Sequence, residues 1–411
     1  MKTSSTPHPI DTLRGRTVLS IAHVAGMVDM VALPVWVGTL ISKYQLSPQQ
    51  AGGLVTIFLA GVVLASLMGA PLFRYLPARV MTPAGFALAT LAFIALGSTD
   101  DFMMMAILHA AAGACVGWAL CFTHGTMGRT SNPHRMFAAA GLALGIFAVI
   151  FIGFTPRLIE SMGGAMLFQV FGALMLFATV MTAMAFPTPP IAGAAESAAR
   201  LSSARIPPVV WAGIVGISLM ALIQAMMFSF MERLGVWRGF STEQVQAVLI
   251  AVGFINLLPA IIATWLQDRL PAQRVLLAGP ALQAILALII TQSTGYTSFA
   301  VASSVYVFVM IFTHIFAFGM FAAQDPSGRA VAATPAMIMT GSAIGPILGG
   351  VLVQNLGYEW LGYAIGLLAA AAIVAFSRVR STGGAPNNPQ VMHRECQQCG
   401  VEADGLDVAA Q

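Results

Sequence analysis

The chain has 411 residues, of which 58% are hydrophobic and 8% are charged, and its formal net charge is +4. A soluble domain carries about 25% charged residues, so this sequence lacks the charge that a water-facing surface requires. Composition therefore excludes a soluble globular protein, and the long continuous apolar runs indicate membrane-spanning helices rather than the alternating strands of a β-barrel.

Turn-forming and charged clusters divide the sequence into about twelve predicted spans, each close to the length that crosses a bilayer as a helix. A polar and basic N-terminus, residues 1–16, precedes them without the pattern of a cleaved signal peptide. The predicted spans of the first half are 17–41, 50–72, 79–97, 101–125, 135–158 and 164–186. Those of the second half are 208–233, 243–267, 273–291, 297–321, 330–354 and 357–379.

Between the sixth and seventh spans, residues 187–207 are rich in Pro, Ala and Ser and predict a linker. It separates two predicted six-helix bundles, 17–186 and 208–380, and the polar tail 381–411 is predicted to be disordered. A shift of 194 residues aligns the two bundles without a gap. The matching pairs include Ser47 with Ser241, Gln50 with Gln244, Arg135 with Arg329 and Gly163 with Gly357. Such self-similarity predicts a duplicated six-helix unit.

The distribution of Lys and Arg predicts the orientation in the membrane. Fifteen of the 19 basic residues fall on the side of the two termini, and four fall on the opposite side. Because short cytoplasmic loops carry an excess of positive charge, both termini are predicted to be cytoplasmic and the protein to lie in the inner membrane. The basic residues form no patch interleaved with aromatics, so nucleic acid is not a predicted partner.

The two loops that follow the second and the eighth spans carry a family resemblance. The first, GAPLFRYLPAR, contains Gly69 and Arg74 but has Phe73 where an acid is usual, and the second, ATWLQDRLPAQR, contains Asp268 and Arg269. With two six-helix halves, a central linker and terminal charge on one side, the chain resembles the major facilitator superfamily over about residues 15–380. The resemblance implies an all-α membrane protein of two pseudo-symmetric six-helix bundles that works by alternating access.

The sequence GSAIGPILGG at 341–350 resembles a signature that antiporters of this superfamily carry on the fifth helix, but here it lies on the eleventh. Gly341, Gly345 and Gly349 are spaced by four residues and share one helix face, which allows a neighbouring backbone to approach closely. Pro346 predicts a bend. The motif therefore predicts a packed, bent helix near the hinge of the transport motion, or, as the alternative, tight packing with no role in coupling.

Ionisable groups inside a bilayer are costly, so they are candidates for function. In this superfamily the first, fourth, seventh and tenth helices line the central cavity, and the five ionisable candidates and Gln224 fall on those four. The candidates for proton coupling are Asp29, His109, His314 and His23. The candidates for the substrate cavity are Trp36, Gln224, Asn256 and His124.

The spans also constrain the substrate. No Lys or Arg lies in the interior of a predicted span, which disfavours a multiply charged anion. Amides and hydroxyls are too sparse for a sugar site, whereas 24 Met and 25 Phe offer adaptable apolar lining. The prediction is a small hydrophobic or aromatic organic compound.

The sequence contains neither a nucleotide-binding loop nor a nucleophile–base arrangement, so neither an enzyme nor a cofactor is predicted. The leading hypothesis is a monomeric, proton-coupled secondary transporter whose partners are its substrate, protons and the lipid bilayer. One alternative is an importer of a small organic acid rather than an efflux pump, and another is a non-transporting membrane sensor or assembly protein with the same fold. In the tail, His393, Cys396 and Cys399 are a weak metal-binding pattern, and no metal is predicted.

Overall fold

The structure is a computed structural model that describes residues 9–73, 75–188, 208–266, 269–324 and 334–379. All regular secondary structure within these ranges is helical. Several residues named above lie outside the described part of the chain: Arg74, Asp268, most of the linker, and the tail with His393, Cys396 and Cys399.

The described residues form fourteen α-helices. Those of the first half are α1 (Leu13–Gly26), α2 (Asp29–Ser42), α3 (Pro48–Leu72), α4 (Ala78–Leu96), α5 (Phe102–Met127), α6 (Pro133–Met162) and α7 (Ala165–Ala185). Those of the second half are α8 (Pro208–Trp237), α9 (Thr242–Ile255), α10 (Pro259–Leu266), α11 (Ala272–Gln292), α12 (Tyr296–Gln324), α13 (Thr334–Leu356) and α14 (Glu359–Ser377).

Eleven segments of the described chain are long and apolar enough to cross a membrane when α1 with α2 and α9 with α10 are each taken as one span. Helix α13 has a comparable length of 23 residues and contains the GSAIGPILGG sequence. The prediction of an all-α membrane protein with about twelve spans is therefore confirmed.

The duplication predicted from the sequence is visible in the helix starts. Helices of the two halves begin 194 residues apart at four places, which are Pro48 and Thr242, Ala78 and Ala272, Phe102 and Tyr296, and Ala165 and Glu359. The two halves therefore share one architecture and one register, and the matches in sequence correspond to matches in structure.

Two local structures account for matching residues at equivalent positions of the two halves. Ser47 accepts a hydrogen bond from the N–H of Gln50 at 3.2 Å, and Ser241 makes the same 3.2 Å bond with Gln244. Both Gln side chains bond back to the backbone of the serine, so α3 and α9 begin with identical capping boxes. Gly163, which follows α6, has φ 95°, and Gly357, which follows α13, has φ 94°, a conformation that favours glycine.

Two spans that the sequence predicts as continuous are broken. The eighth span is interrupted between Ile255 and Pro259. Pro259 has no N–H to donate to the carbonyl of Ile255, and the helix restarts at this residue as α10. The first span is interrupted at Met27 and Val28, between α1 and α2.

The turns lie on two faces of the bundle. On the terminal face, which holds the start of α1, Asp11 accepts hydrogen bonds from the backbone and hydroxyl of Ser131 at 2.9 and 2.7 Å. On the opposite side, here called the far face, Gly164 contacts Lys43 and Tyr44 of the α2–α3 turn. Short connections therefore alternate between the two faces along the chain.

The two halves contact each other in the far half of the bundle. Helix α3 packs against α13, where the Cα of Gly52 lies against the carbonyl of Pro346. The Ile347 N–H donates to the hydroxyl of Thr56 at 3.1 Å, across the same pair of helices. In the corresponding pair, α6 and α9, the Gln246 amide donates to the carbonyl of Gly153 at 3.2 Å. These contacts close the far face between the halves.

Candidate functional site

The break in the first span places Asp29 at the first residue of α2. The last helical hydrogen bond of α1 runs from the Met27 N–H to the His23 carbonyl at 2.9 Å. The chain then turns within one residue, and the Ala32 N–H donates to the Val28 carbonyl at 3.0 Å to begin α2. At the break the Met30 N–H donates to the Met27 carbonyl at 3.1 Å. Asp29 is thus the first residue of α2, near the positive end of the helix dipole.

Asp29 is deeply buried, with 2% of its surface exposed, and its Oδ1 has no hydrogen-bond partner among the described residues. A buried polar atom without a partner costs about 1–3 kcal/mol, and more when it is charged. An ionised Asp29 without a partner is therefore costly at this buried position, and a proton or a bound ion would lower that cost.

His109, on α5, is fully buried and donates from Nδ1 to the carbonyl of Met105 at 2.7 Å. Because a carbonyl only accepts, Nδ1 carries the hydrogen and Nε2 is an acceptor. Among the described residues that Nε2 has no partner, and neither has the indole N–H of Trp36, whose ring centroid lies 5.6 Å from the imidazole. The structure thus brings two candidate residues together, each with one unused polar atom.

Trp36 and His109 lie inside an aromatic cluster of the first half rather than at an exposed position. The Trp36 ring lies 5.0 Å from Phe58 and 4.7 Å from Phe171, both in edge-on contact. His109 is similarly edge-on to Phe168 at 5.7 Å. Edge-on rings interact favourably beyond their buried area, so this cluster is a rigid anchor for α2, α3, α5 and α7.

His23 and His124 form a second pair, closer to the terminal face. Nδ1 of His23 lies 2.9 Å from Nε2 of His124, which joins α1 to α5. One imidazole donates and the other accepts, so the bond contains one hydrogen. A further proton on the accepting nitrogen breaks the bond, so the hydrogen bond between the two rings depends on that nitrogen remaining unprotonated.

In the second half, Gln224 on α8 accepts a hydrogen bond from the Gln283 amide of α11 at 3.1 Å. Asn256 follows the last residue of α9, and its Oδ1 has no partner in the part of the chain that the structure describes. His314 lies on α12 with its ring 4.9 Å from Phe318. The structure gives no contact that joins any of these side chains to Asp29, so the candidates form separate groups and not one constellation.

The glycines of GSAIGPILGG face α8. A Cβ added at Gly345 would lie 2.7 Å from the Met226 nitrogen and 2.8 Å from the Leu222 carbonyl oxygen. Gly341 and Gly349 contact the same helix, at Ser218 and Phe230. The predicted close approach therefore occurs within the second half, while the carbonyl of Pro346 faces the first half. A role as hinge stays a prediction.

The loop motifs are only partly within the described residues. Gly69 packs close to the Cys121 sulfur, 3.2 Å from the position of an added Cβ. The Arg269 guanidinium lies 5.2 Å from the centre of the Trp265 ring. The part that these loop motifs play in transport stays a prediction.

Sequence reasoning missed two residues of this region. Gln283 is an isolated amide in the apolar stretch of α11, and that isolation was the available signal. Glu232 stands beside Arg233 near the end of α8 and resembles half of a surface ion pair. In the structure its Oε2 instead lies directly against Gly38 of the other half.

Gly38 and Glu232 are 194 residues apart and so occupy equivalent positions in the two repeats. They meet beside a cavity of about 220 Å³ near the far face. Its lining comes from α2, α6, α8 and α9 and includes the charged side chains Lys43, Glu160, Glu232 and Arg233. The far-face contact between the halves therefore contains a carboxylate that separation of α2 from α8 would expose.

Comparisons with known proteins agree with this architecture. The profile of the Major Facilitator Superfamily matches residues 18–327. No curated protein matches the chain by sequence. A crystal structure of a D-xylose–proton symporter superposes with a TM-score of 0.71 at 14% identity, over 89% of this chain and 96% of that one.

A crystal structure of the nucleoside transporter NupG superposes with a TM-score of 0.69 at 12% identity, over 89% of this chain and 100% of that one. At such identities these likenesses establish the fold alone, whereas the profile match covers most of the sequence. The chain therefore belongs to the Major Facilitator Superfamily, whose members are non-enzymatic carriers.

Proposed function

We propose that the protein is a proton-coupled secondary transporter that moves a small hydrophobic or aromatic compound across the inner membrane. It acts as a monomer with both termini in the cytoplasm, and the far face is the outer face. Transport proceeds by alternating access between the two halves.

The observation that supports the proposal most directly is that the Asp29 side chain is almost fully buried and has one oxygen without a partner among the described residues. An ionised carboxylate that is almost fully buried and has an unused oxygen costs several kcal/mol in an apolar environment. Binding a proton removes the charge and supplies a donor, while release requires access to water. If Asp29 is exposed to only one side of the membrane at a time, proton movement is coupled to the conformational change that exchanges access between the two sides.

The contacts between the halves supply the second requirement, a closed face. Gly52 on Pro346 and Gly38 on Glu232 hold the halves together in the far half of the bundle. These contacts join different repeats, so a rocking motion must break them to open that face. Because both contacts are present in the structure, they support its assignment to a conformation that is closed on the outer side.

The substrate class is supported by the apolar and aromatic surroundings of the candidate residues. Trp36 and His109 lie among phenylalanines, and the buried polar side chains occur in small separate groups. Few polar partners are therefore available for a heavily hydroxylated molecule, whose unpaired hydroxyls would each cost free energy.

The test is uptake into proteoliposomes under an imposed pH gradient. The probes are labelled neutral and singly charged aromatic compounds, with labelled D-xylose and uridine as polar comparisons. We expect Asp29→Asn to lower gradient-driven accumulation of an aromatic probe at least tenfold, while counterflow stays within threefold of the unmodified protein. Asparagine keeps the size of aspartate but cannot ionise.

His109→Gln and His314→Gln are tested beside it, because either histidine is an alternative proton carrier. Normal accumulation in all three variants would remove the proton assignment. Transport of xylose or uridine, with none of any aromatic probe, would contradict the substrate class.

Orientation is tested separately, at a cysteine placed at Ser197 after the native cysteines are replaced by serine. A membrane-impermeant thiol reagent applied to intact cells should not label it, because the linker is proposed to be cytoplasmic. Efficient labelling from outside would reverse the orientation.

A further inference from the structure

The break in the first span leaves a group of backbone oxygens without their helical donors. The helical hydrogen bonds of α1 end with the Met27 N–H, and the next N–H groups do not continue the pattern. The carbonyls of Val24, Ala25 and Gly26 therefore lose the donors that an unbroken helix provides. Carbonyls at a helix C-terminus carry partial negative charge, which favours a cation.

The other side of the break adds oxygen atoms of the same kind. Asp29 begins α2, is 2% exposed, and has an Oδ1 without a partner among the described residues. Pro34, inside α2, has no N–H, so the carbonyl of Met30 also lacks its helical donor. The sequence contains no Lys or Arg between Arg16 and Lys43 that could neutralise the carboxylate from the same span.

We propose that this break binds a monovalent metal cation, of the chemistry of Na⁺, through the Asp29 carboxylate, the freed carbonyls of α1 and the Met30 carbonyl of α2. Carboxylate and carbonyl oxygens are the ligands of hard cations, and broken membrane helices supply such sites in other transporter folds. One carboxylate balances one positive charge, whereas a divalent ion would leave a net charge in an apolar environment. The inference rests on the proposed function in that Asp29 is also the coupling group there.

The α2 terminus explains why the carboxylate can be ionised when the cation is present. Asp29 is the first residue of α2, so its carboxylate lies near the positive end of the α2 dipole. The dipole stabilises negative charge there, while the unused Oδ1 remains available to a ligand. A proton and a metal cation therefore use the same oxygen, one at a time.

The test is the thermal unfolding of the purified full-length protein in detergent, without substrate. It compares 100 mM NaCl with 100 mM choline chloride at one pH. A ligand that binds only the folded state raises Tm, and we expect NaCl to raise it by at least about 3 °C. We expect no rise for Asp29→Asn.

The matched control is Asp101→Asn. Asp101 also stands at a helix start, where its Oδ1 accepts the Met104 N–H at 2.8 Å, but it is exposed. This variant should keep the full rise in Tm. No rise in the unmodified protein, or an equal rise in Asp29→Asn, would overturn the inference.

Pro34→Ala is a second test of the site that remains valid if the Asp29→Asn variant does not fold properly. Alanine restores a donor for the Met30 carbonyl, so the NaCl concentration for half of the Tm rise should increase several-fold, and direct ²²Na⁺ binding should weaken equally. Unchanged half-saturation would contradict the set of ligands. If NaCl has no effect while Asp29-dependent accumulation persists, only this inference fails. If Asp29→Asn accumulates substrate normally, the proposed function fails, whatever the sodium result.

Discussion

Among the helix pairs that join the halves, the duplication makes α3 with α13 and α6 with α9 equivalent. Gly52 corresponds to Gln246, and Pro346 corresponds to Ile152, each at an offset of 194 residues. In the first pair the Cα of Gly52 touches the Pro346 carbonyl, and in the second the Gln246 amide donates to the Ile152 carbonyl at 3.4 Å. One fold thus makes the same connection by direct backbone contact on one side and through a side chain on the other.

This difference has a consequence for the shape of the far face. The side chain of Gln246 holds α6 and α9 farther apart than glycine would, and the cavity of about 220 Å³ is lined by residues of these helices. On the α3–α13 side, Gly350 packs against the Pro48 carbonyl and brings the backbones close. The far face is therefore tight on one side of the pseudo-symmetry axis and polar and partly open on the other.

The interiors of the two halves differ in the same way. His23, Asp29 and His124 of the first half correspond to Ile217, Ile223 and Phe318 of the second. These three polar residues of the first half therefore have apolar counterparts in the second half, whose own buried polar groups include the Nδ1 of His314 and the Gln224–Gln283 pair.

Among the variants that test the difference between these two helix pairs, Gly52→Val is expected to have the largest effect. The new Cβ collides with the Pro346 carbonyl, so α3 and α13 cannot close together. Uptake in the proteoliposome assay should fall at least thirtyfold, and a single cysteine at Ser42 should react faster with an impermeant reagent from the far side. Gln246→Val, at the equivalent position, should lose less than fivefold. Equal losses would show that the two pairs do not differ in tightness.

Gly345→Leu should have the next largest effect. Its side chain would enter the space of the Met226 nitrogen and the Leu222 carbonyl and push α13 from α8. Expression should survive while uptake falls about tenfold. Phe151→Leu at the equivalent position removes part of a buried ring but adds no atoms to a helix contact, so it should lower uptake less. Unchanged uptake in Gly345→Leu would show that the glycine face does not contribute to transport.

The contact on the pseudo-symmetry axis allows a double-mutant test of intermediate size. Gly38→Ala places a methyl group on the Glu232 carboxylate, so it should weaken closure of the far face and lower uptake about fivefold. Glu232→Ala removes the obstacle, and the double variant should therefore react with the far-side reagent more slowly than Gly38→Ala alone. Additive effects of the two changes would contradict a direct contact.

The smallest effect concerns a feature that the halves share. Ser47→Ala and Ser241→Ala each remove the serine of an identical capping box, so each should lower the free energy of unfolding by about 1 kcal/mol. The measurement is Tm of the purified protein in detergent, with Ser47→Thr and Ser241→Thr as controls that retain a hydroxyl. A large effect at one position and none at the other would show that the repeats differ in local stability as well as in chemistry.

Much of the fold could be predicted because its causes are local. The apolar length of each span, the serine caps and the two left-handed glycines depend on a few adjacent residues, so they appear in the sequence as periodicity and repeat. The breaks in the first and eighth spans were missed. Pro259 gave a local signal for one, but Met27 and Val28, where the other occurs, give none.

The sequence by itself determined the membrane environment, the span count, the duplication and the residues in the apolar interior that carry polar groups. Only the tertiary structure decided which of these meet: Trp36 with His109, His23 with His124, and Glu232 with Gly38. The reason is that hydrophobicity and capping act between neighbours in the chain, whereas these contacts join helices far apart in sequence. Their formation depends on how closely two backbones approach, and a residue such as Gly38 shows its role only when the opposing carboxylate is in place.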